Sequence, residues 1–146
     1  MELYWYLIPH DGAYPWAKRG RREVHFDYLA QLARAVDHLG YTGALLATGG
    51  GAHDAWGLGS ALIPLTRRMK FIVAVHPGIT APLMLAQQAA TFDQFSQGRL
   101  SINIVTGDRH QMPPYGIELA HDERYGLTDE YWAAFKQIMS GETVSF

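Results

Sequence analysis

Short apolar runs alternate along the chain with longer stretches in which apolar residues recur at three- and four-residue intervals. Leu3 to Ile8 is aromatic and compact and is stopped by Pro9, which predicts a first strand. Asp11 to Arg22 mixes glycine, proline and charge and reads as a loop. From Phe26 to Leu39 the positions Leu29, Leu32, Ala33, Val36 and Leu39 keep helical spacing, and Gly40 supplies the stop. Gly43 to Ala47 predicts a second strand and Gly49-Gly50-Gly51 a flexible loop. Asp54 is the expected cap of a helix that runs to about Ile63, where Pro64 and Arg67-Arg68 end it. Lys70 to Val75 predicts a third strand. Thr80 as cap and Pro82 in the first turn open a third helix that ends near Gly98. Arg99 to Val105 predicts a fourth strand. A loop with Pro113-Pro114 then leads to a last helix from about Asp122 to Met139, interrupted at Gly126 and closed by Gly141.

The strand candidates are apolar on consecutive positions, which predicts cover on both faces. Successive strand–helix units suggest either a doubly wound sheet or part of a (β/α)₈ barrel. The turn after the first strand, Pro9 to Arg22, carries no G-x-G-x-x-G, which decides against the dinucleotide-binding fold. A complete barrel runs to about 250 residues. Residues 1–146 are therefore expected to form one partial domain, the N-terminal half of a TIM barrel with about four β/α units. Such a half-barrel has two open sheet edges and an uncovered interior. Thr143 to Phe146 reads as the start of a further strand.

Composition narrows the partners. Nearly half the residues are apolar and the net charge is −2, so neither disorder nor nucleic-acid binding is expected. Lys18-Arg19-Gly20-Arg21-Arg22 is read as a solvated loop. The absence of cysteine excludes disulfides and thiolate metal sites. No apolar run approaches membrane-spanning length, so a reducing, cytoplasmic setting is expected.

In parallel α/β folds, ligands meet the C-terminal ends of the strands. Here those ends carry His10-Asp11, Thr48, His76 and Thr106-Gly107-Asp108. There is no H-x-H or H-E-x-x-H, so no metal is expected. Thr48 and Thr106 with backbone amides suit an anion or cofactor site, with a turn or cap role as the alternative. Asn103 lies inside an apolar strand and needs polar partners, either in a barrel interior or on a neighbouring strand.

The segment Ala89-Ala90-Thr91-Phe92-Asp93-Gln94-Phe95-Ser96-Gln97-Gly98-Arg99, followed by a strand and Asn103-Ile104-Val105-Thr106-Gly107, resembles the bacterial luciferase-like superfamily. The similarity is to its alkanesulfonate monooxygenase group of reduced-flavin enzymes. Leu39 to Gly43, Asp54-Ala55-Trp56, Ile63 to Thr66, Lys70-Phe71, His121 to Tyr125 and Gly141 to Val144 extend it over the whole chain. The resemblance implies an oxygenase that takes reduced FMN from a separate NAD(P)H-dependent reductase and uses O₂ on a small organic substrate. In alkanesulfonate enzymes the products are an aldehyde and sulfite. It further implies that Thr48, Asn103, Thr106, His121, Arg124 and Tyr125 face the flavin, and that the full-length protein is a homo-oligomer. The group's catalytic arginine and histidine, and its main phosphate-binding region, belong to the second half of the barrel. No catalytic residue is therefore assigned in residues 1–146, and this chain in isolation is expected to be inactive and to bind FMN poorly. The sulfonate group carries a cysteine where this chain has Gly51-Ala52-His53, and its loop after the first strand is longer and charged differently. A related enzyme of another organosulfur or small organic substrate, or a non-catalytic barrel fragment, is the alternative.

Overall fold

The computed structural model describes residues 1–7, 24–48 and 53–145. Its elements are β1 (Tyr4–Leu7), α1 (Phe26–His38), β2 (Gly43–Leu46), α2 (Ala55–Leu62), β3 (Lys70–Val75), α3 (Pro82–Ser96), β4 (Leu100–Ile104) and α4 (His121–Met139). Single 3₁₀ turns lie at Ile63–Leu65 and Pro113–Tyr115. The basic cluster Lys18 to Arg22, His10-Asp11, the triple glycine and Ala52 lie outside the described residues.

The strands are all parallel and stand in chain order, β1-β2-β3-β4. A doubly wound sheet reverses its strand order and covers both faces. This sheet does neither. The register aligns Leu7, Leu46, Val73 and Ile102 on one face. That face joins Leu29, Ala33 and Val36 of α1, Leu62 of α2, Leu85 and Phe92 of α3, and Tyr131 and Phe135 of α4 in one core. The opposite face carries Tyr6, Leu45, Ile72 and Ser101 in register. Tyr6 and Ser101 are exposed, and Leu45 and Ile72 are half-buried. The expectation of cover on both faces is thus corrected: helices cover one face, as in a barrel segment. The apolar residues on the other face form the wall of a barrel interior, where side chains pack in layers when the barrel closes.

Packing between layers is aromatic. The Phe92 ring meets Phe71 edge-on at 5.3 Å and Trp56 at 5.6 Å. Gly59 of α2 is what admits Phe92, since a Cβ there would lie 2.8 Å from the ring.

Polar groups tie the end of the sheet where the strands begin. The Arg99 guanidinium donates to the carbonyls of Ser96 (2.6 Å), Met69 (3.3 Å) and Ile63 (3.2 Å) and to the Thr66 hydroxyl (2.8 Å). It also lies 5.2 Å over the Phe71 ring. Ser96 is fully buried and accepts from the Arg99 amide, while Asp93 accepts from Leu100. The Asp-x-x-Ser-x-Gly-Arg motif therefore builds the α3–β4 turn. On the same side, the Asp37 carboxylate accepts from the amides of Arg67, Arg68 and Met69.

Three local expectations are corrected. Thr80 does not cap α3. Pro82 occupies the first turn, and Ala81, extended and without a side-chain hydrogen bond, is the capping position. Helix α4 begins at His121 and runs unbroken through Gly126. Thr143 to Ser145 has no regular structure.

Candidate active-site rim

Three of the expected residues meet at the C-terminal ends of the strands. The Thr48 hydroxyl donates to the Ala74 carbonyl at 2.7 Å. Ala74 is the register partner of Asn103, so Asn103 stands on the open face of the sheet. Asn103 is half-buried, and its amide makes no side-chain hydrogen bond among the described residues. The reading that it faces a barrel interior fits this position better than a bond to a neighbouring strand. Thr106 lies two residues beyond β4, half-buried, and its N–H is unbonded among the described residues.

His76 sits between these strand ends. It is 3% exposed, with Nδ1 2.9 Å from the Val105 carbonyl and Nε2 3.1 Å from the Thr48 carbonyl. Beyond Thr106 the chain folds tightly over this ring. Gly107 has φ +74, a backbone conformation that favours glycine, and a Cβ there would also press on the Met112 side chain. Asp108 then closes its own loop by accepting from the amides of His110 (2.7 Å) and Gln111 (2.9 Å). Those bonds hold its carboxyl below the usual range. No cluster suited to a metal ion occurs among the described residues.

The other three expected residues share the first turns of α4. The His121 and Tyr125 rings lie 5.1 Å apart on one exposed face, as their four-residue spacing predicts. His121 also contacts Asp122 at 3.0 Å. Arg124 points elsewhere: it is 8% exposed and donates to the Leu119 carbonyl at 3.0 Å. Its Nε is buried without a partner among the described residues. Arg124 lines a cavity of about 370 Å³ together with Asp108, Arg109, Met112 and Glu118. Sequence reasoning passes over Arg109 and Glu118, because nothing local marks a loop residue as facing a cavity. Among the described residues the hydrogen bonds and ring contacts of His121 and Tyr125 stay within α4, so the expected residues fall into two sets.

An underused, buried guanidinium is costly until an anion meets it. The Asn103 amide and the Thr106 N–H are likewise without hydrogen-bond partners among the described residues. Residues 1–146 match the profile of the luciferase-like monooxygenase family throughout. The chain belongs to the luciferase-like monooxygenases. Among solved structures, monooxygenase RslO1 from Streptomyces bottropensis is 28% identical with a TM-score of 0.79, over 100% of this chain and 45% of that one. EDTA monooxygenase from Chelativorans sp. BNC1 is 21% identical with a TM-score of 0.78, over 94% and 38% of the two chains. A long-chain alkane monooxygenase is 22% identical with a TM-score of 0.77, over 93% and 38%. This luciferase-like chain thus spans less than half the length of each, and its fold matches the corresponding part of theirs.

Proposed function

We propose that this chain is the flavin-facing wall of an FMNH₂-dependent monooxygenase of a two-component system. Its substrate in this reading is an alkanesulfonate, which it converts to an aldehyde and sulfite in the cytoplasm. The reduced FMN comes from a separate NAD(P)H-dependent reductase, and the whole protein is a homo-oligomer. The whole-chain family match supports the monooxygenase part of this reading; the sulfonate, the reductase and the homo-oligomer follow from the resemblance of the sequence motifs to the alkanesulfonate group. When bound, the reduced flavin supplies the oxygen chemistry. Thr48, Asn103 and Thr106 bound the ring from β2 and β4, while His121 and Tyr125 shield it. Arg124 meets its phosphate, a role supported by the buried and partnerless Nε.

The test gives the whole protein NAD(P)H, an FMN reductase, O₂ and alkanesulfonates of graded length. Sulfite and aldehyde appear in equal amounts. Oxygenation of a different organosulfur or small organic compound, with no sulfite from any sulfonate, would replace the substrate assignment. One observation favours that second reading: His53, not a thiol, stands before the Asp54 cap of α2. It lines a cavity of about 460 Å³ with Phe26, Leu29 and Leu58. Failure to oxygenate any substrate, with reduced flavin consumed no faster than in its absence, would leave the non-catalytic fragment.

A further inference from the structure

His76 has no part in the reading above, yet it is a buried titratable side chain at the rim. β2 and β4 are not neighbours, because β3 lies between them. The carbonyls of Thr48 and Val105, just beyond the ends of β2 and β4, are joined through the His76 ring at 3.1 and 2.9 Å. A peptide unit is planar and trans, so its N–H points opposite to its C=O. Holding the Val105 carbonyl toward His76 therefore turns the Thr106 N–H away from the ring. That N–H makes no hydrogen bond among the described residues. The tight turn at Gly107 packs next to the ring, where an added Cβ would lie 3.4 Å from His76 Nδ1. Carbonyl oxygens only accept, so both contacts are made together when each ring nitrogen carries a hydrogen; a ring with one hydrogen holds one carbonyl.

We infer that His76 is a positioning residue. It clamps the Thr48 and Val105 carbonyls, fixes the separation of the ends of β2 and β4, and presents the Thr106 N–H as a donor to the flavin. The inference rests on the flavin reading of this rim.

The test uses ¹⁵N-labelled chain, as wild type, His76→Phe and His76→Gln, titrated with FMN and followed by amide resonances. Phenylalanine keeps a flat ring and removes both donors, whereas glutamine keeps an amide donor. In His76→Phe the Thr48 and Thr106 resonances move, those of Ser96 at the far pole do not, and the Thr106 response to FMN falls about tenfold. His76→Gln restores that response to within about threefold of wild type. A folded His76→Phe chain with wild-type response overturns the inference, as does a His76→Gln chain no better than His76→Phe. If wild type itself shows no response, the flavin reading of the rim fails; unmoved Thr48 and Thr106 in His76→Phe would overturn the clamp separately. If His76→Phe does not fold, the ring nitrogens of wild type decide. In wild type labelled with both ¹³C and ¹⁵N, couplings across the hydrogen bonds to the Thr48 and Val105 carbonyl carbons support the clamp, and their absence overturns it.

Discussion

The Arg99 guanidinium donates to the hydroxyl of Thr66 at 2.8 Å, joining residues 33 positions apart. The most recognisable motif in the chain thus ends in a side chain at the opposite pole from the rim. Four further carbonyl and ring contacts converge on it. Arg99→Ala should lower unfolding free energy by about 2–3 kcal/mol, the range for hydrogen bonds to a charged group. FMN-induced shifts at the rim should survive. Urea unfolding checks the first statement; a stability within about 0.5 kcal/mol of wild type would contradict it.

Asp37 gives a pH-dependent contribution. Burial pushes its carboxyl up, but the amides of Arg68, Met69 and Arg67 and the Arg68 charge outweigh that and hold it below its ordinary 3.8. A depressed folded value contributes stability above the unfolded value and loses it as pH falls through the folded one. Asp37→Asn should therefore be less stable than wild type at neutral pH, and the gap should close as pH drops below 3.8. Urea midpoints across that range test this; a constant gap would contradict it.

Tyr131 acts in the opposite range. Its hydroxyl is buried without a partner among the described residues, and burial pushes its pKa from 10.0 up to about 12. A raised value makes the folded state hold a proton that the unfolded state releases. Stability is complete below 10.0 and is lost as pH rises toward about 12. Tyr131→Phe removes both penalties, so it should gain about 1 kcal/mol at neutral pH and more at alkaline pH. A loss of stability on this substitution would show that the hydroxyl has a partner.

Much of the fold was legible because periodicity and punctuation are local. Lys70 to Val75 has the predicted bounds, and α1 differs from its expectation by one residue. Thr80 does not cap α3 because Pro82 takes the first helical position, which makes Ala81 the N-cap. Gly126 does not break α4 because buried Arg124 precedes it, buried Tyr131, Ala134 and Phe135 follow it, and its own side is open. At the rim, strand-end position identified Thr48, His76 and Thr106. The burial of Arg124 and the two-carbonyl clamp on His76 depend on residues far away in sequence, so no local pattern carries them.

The proposed phosphate contact of Arg124 can be tested apart from folding. Arg124→Met should change stability by no more than about 1 kcal/mol, because it removes a buried charge that lacks an ion pair among the described residues. Wild type should prefer FMN over riboflavin by about tenfold, and the variant should not discriminate. A variant that keeps the preference would place the phosphate elsewhere.

In the proposed function the C-terminal rim and the start of α4 face the flavin. Titrating FMN into ¹⁵N-labelled chain and mapping the shifted amides tests it most directly, and it reads weak binding as well as tight. Shifts are expected at Thr48, Asn103, Thr106, Arg124 and Tyr125, with Asp37, Ser96 and Arg99 unmoved. Shifts confined to the Arg99 pole, or none up to about 1 mM FMN, would contradict it.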